Sequence, residues 1–276
     1  MYKRLTAAAV LILGTTACER DFMTQAEVLE ALDQTADSSR GEQATNEPIE
    51  ISTDFTIGDA VEAAAERVAA WWDSQEACTT TTVVDATVTV DFGDLEDDCD
   101  FEGYHYGGIA EITVDNTTEG EAQVTHVWTG LNNGDVEVNG GAVVNWSGND
   151  QTRHVVTEHT WTDLEDGKSV DVEGDHIQGW IDEEERIWGG ITMEGTRDWV
   201  SSGGNEWHVD MTGLEIRLQD PVAQAGTIIV TDPEGRELSF EHERQDDNTI
   251  RITIEGARNT HVYDINLIGV ATEVES

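Results

Sequence analysis

Positive charge is scarce in this chain. Its 276 residues hold 14 Lys and Arg against 58 Asp and Glu, a formal charge of −44. Only Lys3 and Lys168 are lysines. So few cations exclude nucleic acid as a partner, because each phosphate contact calls for a positive group. An acidic, lysine-poor chain resembles proteins adapted to high salt, where screening weakens repulsion among carboxylates; the plainer alternative is an ordinary acidic secreted protein. Catalytic signatures are missing as well. The eight histidines form no H-x-H, H-E-x-x-H or zinc-spaced Cys/His cluster. There is no G-x-S-x-G elbow and no P-loop. His154 and His159 share one candidate strand but have opposite parity, so they point to opposite faces.

No apolar run approaches the about 20 residues that cross a bilayer. Lys3 and Arg4, followed by apolar Leu5 to Leu13 and the small residues 14–17, instead read as an export signal over residues 1–17. Its end, Thr15-Thr16-Ala17-Cys18, resembles a bacterial lipobox, with Thr15 where Leu is usual. That resemblance implies lipidation of Cys18, which would become the mature N-terminus; the alternative is plain secretory cleavage after Ala17. Glu19 is not the Asp associated with inner-membrane retention, which favours an outer-membrane or cell-surface address and the membrane as a partner. Removing residues 1–17 deletes two cations and takes the formal charge from −44 to −46.

Residues 18–57 read as an acidic tether. Within it Thr24-Gln25-Ala26-Glu27 forms a capping box ahead of Val28, Leu29 and Leu32, which predicts a short helix over about 25–36. Residues 37–50 read as linker. The remainder, 58–276, reads as one helix followed by an antiparallel β domain. Over Gly58 to Ser74, the residues Val61, Ala65, Val68 and Trp72 recur at helical spacing and predict a helix packed on a sheet. The adjacent Trp71 and Trp72 suit a core anchor better than a ligand platform.

From Val83 onward the pattern has a period of two. It predicts about twelve strands, over 85–92, 105–115, 121–130, 135–146, 152–162, 169–178, 186–200, 206–218, 226–232, 236–243, 249–256 and 261–269. Tight-turn residues such as Asp166-Gly167 and Asp232-Pro233-Glu234-Gly235 separate them, which predicts an antiparallel meander. Alternation is clean at Ile250, Ile252 and Ile254, and at Trp207, Val209 and Met211. The expected fold is mostly β, a sandwich or a curled barrel-like sheet with one N-terminal packing helix.

In an exported chain Cys78 and Cys99 predict a disulfide. A single strand from Thr82 to Phe92 would run about 33 Å, which forces its flanks to be nearly extended for the bridge to close. A strand limited to Asp85–Phe92 spans about 23 Å and closes easily. The bridge therefore predicts irregular structure over residues 79–84. The turn from Asp94 to Asp100 offers five carboxylates, and calcium held by Asp94, Glu96 and Asp98 is the metal it would suit. It lacks EF-hand spacing, and in a chain this acidic such a turn needs no metal. Trp128, Trp146, Trp161, Trp180, Trp188, Trp199 and Trp207 are spread over the strands, either as core or as a face that stacks on sugars or an apolar partner.

Several phrases together carry a family resemblance. They are Val90-Asp91-Phe92-Gly93 with Cys99, Gly103 and Gly107-Gly108; His126-Val127-Trp128-Thr129-Gly130-Leu131; Arg197-Asp198-Trp199 with Trp207; and Asp220-Pro221 with Gly226. Across most of residues 55–269 the chain resembles a set of β-rich lipoproteins of bacterial cell envelopes that share a VDFG…C…G…GxI opening and a Trp-containing hairpin. Some members carry cysteines in the last third that are absent here. The resemblance implies envelope location and a β-rich fold, and it carries no activity. Taken together, the expectation is an exported, lipid-anchored, non-enzymatic module that binds an envelope protein, a glycan or a hydrophobic ligand. The alternatives are a structural surface lipoprotein without a ligand, or a hydrolase with a carboxylate pair.

Overall fold

The computed structural model describes residues 22–56, 61–74, 78–95, 99–101, 104–116, 121–148, 150–182, 189–217, 220–267 and 269–274. Two helices, α1 (Gln25–Thr56) and α2 (Val61–Ser74), precede fifteen strands. These are β1 (Thr80–Val84), β2 (Thr87–Asp91), β3 (Cys99–Phe101), β4 (Tyr104–Asn116), β5 (Glu121–Asn132), β6 (Val136–Ser147), β7 (Thr152–Asp163) and β8 (Ser169–Trp180). They continue as β9 (Ile191–Val200), β10 (Glu206–Ile216), β11 (Ala225–Thr231), β12 (Glu237–Asp246), β13 (Thr249–Glu255), β14 (His261–Asn266) and β15 (Ala271–Glu273). All strand pairings are antiparallel and join sequence neighbours except that β2 pairs directly with β4, while β3 pairs β4 from outside the main path. The result is one unclosed meander, so the strands do not divide into a sandwich. Short links allow no other pairing, since parallel neighbours need long crossovers.

One face of this sheet is apolar and covered. Val88, Ile112, Val124, Val138, Val155, Val172, Val209 and Leu238 all lie buried in a single core, together with residues of both helices. Their strand neighbours of opposite parity point to solvent, as expected for a half-buried antiparallel sheet. We call the helix-covered side the inner face. Gly140 and Gly195 sit inside β6 and β9 at φ +142° and +145°. A Cβ on either would fall 2.4 Å or less from the partner strand's carbonyl oxygen, at Glu158 and Asp175 respectively. Only glycine permits the strand bends there.

The helix α2 follows its sequence pattern. Ala64, Ala65, Val68, Ala69 and Trp72 are buried, and the helix rests on β1, β2 and β4 at one end of the sheet. Trp72 meets Phe92 edge to face, with ring centroids 5.4 Å apart. The Trp pair is thus a core anchor.

Two expectations are corrected. The helix expected over about 25–36 continues to Thr56, so the expected linker 37–50 is helical. Packing across the sheet supplies the stability that this polar sequence lacks on its own. Residues 80–84, expected to be irregular, form β1, although Cys78 and Cys99 are bonded with Cα atoms 5.1 Å apart. The chain from 82 to 92 is not one extended run. In fact Asp85, at φ 54°, turns it back after β1, and the register Thr80↔Asp91 returns Cys78 to the end of the sheet where β3 begins. A two-residue hairpin link of this kind favours positive φ, which Asp tolerates.

The disulfide closes a 21-residue separation between the end of α2 and β3. In the chain-entropy model a loop of that size contributes about 3 kcal/mol. The Cys78→Ala/Cys99→Ala protein should lose about that much in urea titrations. Equal midpoints for the oxidised protein and this variant would show that the bridge carries no stability.

Candidate functional site

The residues singled out by sequence do not gather into one place. Cys18 lies outside the described residues, as do Glu96 and Asp98, while Asp94 is exposed beside them. Among the described residues no group of three or more His, Cys, Asp or Glu side chains converges as a metal would require. The tryptophans resolve toward the core. Trp72, Trp128, Trp161, Trp199 and Trp207 are buried, Trp71, Trp146 and Trp180 partly so, and Trp188 lies outside the described residues. Trp199 and Trp207 stack across β9 and β10 with ring centroids 6.0 Å apart.

What the structure does bring together is a seam between α1 and the inner face. The helix begins with the capping box expected from sequence: the Thr24 backbone N–H donates to Glu27 Oε2 at 2.7 Å, and the Glu27 N–H donates to Thr24 Oγ1 at 3.4 Å. The other Glu27 oxygen accepts from Arg236 Nη1 at 2.8 Å. Farther along, Arg40 Nη1 donates to Asp163 Oδ2 at 2.5 Å, and Lys168 Nζ lies 3.6 Å from Asp37 Oδ2. Between these points Arg197 Nη1 donates to Ser38 Oγ at 3.3 Å. Arg236 closes the β11–β12 hairpin, and Asp163 and Lys168 flank the β7–β8 hairpin.

The spacing explains why a helix can reach both hairpins. From Glu27 to Arg40 the helix advances about 20 Å at 1.5 Å per residue. The two hairpins are four strands apart, about 19 Å at 4.8 Å per strand. The helix therefore runs across the strands, and beyond Arg40 it continues over β6, β5 and β4.

Beneath it the inner face is unusually polar. Arg153, Thr157, His159, His176 and Gln178 are buried on β7 and β8. His159 pairs across the ladder with Gly140, and His176 with Gly195. Each imidazole thus stands beside a position that has no side chain. Gly174 does the same for Arg197, its partner on β9: a Cβ there would come 2.6 Å from Thr157 Oγ1. The helix meets this patch at Gly41, where an added Cβ would lie 2.7 Å from His159 Nε2 and 3.0 Å from Trp161 Cδ1. His159 is 4% exposed, and neither ring nitrogen has a hydrogen-bond partner among the described residues. The Arg40 guanidinium lies over the Trp161 ring, 5.1 Å from its centroid.

Burial, reinforced for His159 by the nearby Arg197 charge, holds the imidazoles below their ordinary range. His159 is lowered to about 4, His176 to about 4 and His126, by burial alone, to about 3. The carboxylates on the seam move the other way in charge. The hydrogen bond from Arg236 draws Glu27 down to about 2, and the one from Arg40 draws Asp163 down to about 2.

The opposite face carries mostly Thr, Asp, Glu, Asn and His, with Val127, Val156, Ile177 and Val200 exposed among them. Hydrogen bonds there link His154 to Asp175 at 2.6 Å and His208 to Asp198 at 2.7 Å. A trough of about 540 Å³ on that face is bordered by Glu158, Asp171, Glu173, Asp198 and Glu206. His154 and His159 do point to opposite faces. The inner polar patch was readable in part, because His159 and His176 share strand parity with Trp161 and Val172. The glycines across the ladder depend on register, which no single strand's sequence reveals.

No protein-family model matches this chain, no curated protein matches it in sequence, and no solved structure matches it in fold.

These shifts fix the sign of the acid response. A histidine lowered in the folded state contributes stability above its unfolded value of 6.5, and that contribution is lost as pH falls toward 4. Glu27 and Asp163 lose theirs only below their ordinary values of 4.5 and 3.8, as pH falls toward 2. Thermal melts should therefore show a falling midpoint between pH 6.5 and 4, with a shallower fall in His159→Gln. A midpoint constant over that interval would contradict the burial of these rings.

Proposed function

We propose that this is an exported, lipid-anchored, non-enzymatic binding module of the cell envelope, which takes its ligand on the inner face covered by α1. The lipobox-like end at Cys18 and the resemblance to envelope lipoproteins support the address. One observation supports the binding face. Trp128, Trp161 and Trp199 lie with Arg153 and Arg197 on the inner face, under a helix whose described buried positions are mostly small or polar: Ala31, Ser38, Gly41, Thr45 and Ile49. Among its described positions only Ile49 is a large, fully buried apolar residue, and apolar area is the main source of docking energy. Leu29 is 60% exposed, while Val28 packs against the core. The polar outer face favours a second reading, a surface lipoprotein without a ligand.

Two measurements test these readings. Mass spectrometry of the mature N-terminus should find acyl chains on Cys18; an unmodified cysteine would remove the anchor. Glu27→Gln/Asp37→Asn/Arg40→Gln loosens α1 from its own side of the seam. That variant should bind an apolar dye several-fold more strongly than the native protein while keeping its β-sheet circular dichroism. Dye uptake equal to the native level would favour the structural reading.

A further inference from the structure

We propose that the inner face is a docking site for an acidic helix from another chain, and that α1 is the intramolecular competitor for that site. The proposal rests on the inner face being the binding face, and it adds the class of partner. Charge complementarity is the first argument. The segment Gln25–Thr56 carries eight acidic residues and one arginine. Nine described basic residues lie outside it, and three of them, Lys168, Arg197 and Arg236, reach α1. In a chain with so few cations, a third of those available to the scaffold face one acidic helix.

Shape is the second argument. The seam is built for a helix with a small-residue face, because at Gly41 no side chain beyond hydrogen fits above His159 and Trp161. The third is the buried His159 itself, whose two ring nitrogens lack hydrogen-bond partners while facing that helix. The cis helix leaves this polar group unanswered, so a helix with a donor or acceptor at that point would fit better than α1 does. Held at its rim by ion pairs and leaving His159 unanswered, α1 is a replaceable occupant. Its exchange for a helix in trans would turn the module from closed to engaged.

The test uses the full chain and a fluorophore-labelled peptide of residues 22–56, followed by fluorescence anisotropy. The scaffold variant Glu27→Gln/Asp37→Asn/Arg40→Gln should bind the peptide at least tenfold more tightly than the native chain. Adding Lys168→Gln and Arg236→Gln to that scaffold should weaken binding at least fivefold. A peptide carrying Gly41→Leu should bind at least tenfold more weakly than the native peptide. Equal binding to native and loosened scaffolds overturns the competitor role. Equal binding of a scrambled peptide of the same composition overturns the helix-shaped site and leaves charge attraction alone. Peptide substitutions cannot unfold the scaffold, and the milder Arg40→Gln chain carries the same comparison where the triple variant fails to fold. Dye uptake without peptide binding overturns only the partner class; absence of dye uptake overturns the binding face beneath it.

Discussion

A sheet with one apolar face and no second sheet must be covered by something else, and everything distinctive in this chain follows from how that cover is made. Fourteen strands in one meander present an inner face too wide for a single short helix. The chain solves this with α2 over β1, β2 and β4 and with α1 laid across the rest. The solution depends on a match of lengths, since one strand spacing equals about three residues of helix rise. Because of that match, residues thirteen apart on α1 meet hairpins four strands apart. Glu27 shows how tightly the levels are linked: one oxygen closes the helix's own capping box and the other accepts from Arg236.

The two helices are fastened by different physics. The helix α2 buries Ala64, Ala65, Val68, Ala69 and Trp72, and the covalent Cys78–Cys99 bridge follows it directly. Besides Ala31 and Ile49 in the core, α1 makes ion pairs whose side chains remain partly open to solvent, such as Arg40 and Lys168. Exposed pairs of this kind contribute about 0–1 kcal/mol each. Among the described residues, α2 contributes the one aromatic core anchor, Trp72, and α1 the ion pairs to the two hairpins.

Much of this was legible in residues. Period-two alternation located nearly every strand, and turn residues such as Asp232-Pro233-Glu234-Gly235 gave the meander. The capping box at Thr24–Glu27 gave the start of α1, and the parity of His154 and His159 gave their opposite faces. The length of α1 was not legible, because beyond residue 36 its sequence is polar and only tertiary contacts with β4–β8 keep it helical. β1 was hidden because Val83-Val84-Asp85-Ala86-Thr87 shows no glycine, and the turn rests on Asp85 alone adopting a left-handed conformation. The polar patch was half visible, since a histidine on a buried parity can be read from sequence but the glycine opposite it requires the register. Cys78 and Cys99 could be paired from sequence; the path between them could not.

Salt acts on this arrangement in two opposed ways, and distance decides between them. The ion pairs that hold α1 are at 2.5 to 3.6 Å, well inside the Debye length of about 8 Å at physiological ionic strength. The repulsion between an acidic helix and the many carboxylates of the scaffold acts over longer separations. Screening removes long-range terms first. Moderate salt therefore relieves the repulsion while leaving the contacts largely intact, and only at higher ionic strength do the contacts weaken as well. For a chain with a formal charge of −44, the closed state of α1 is thus a balance set by ionic strength as much as by sequence. A partner helix bearing the same negative charge is subject to the same balance, so screening that permits α1 to dock in cis also permits its replacement in trans.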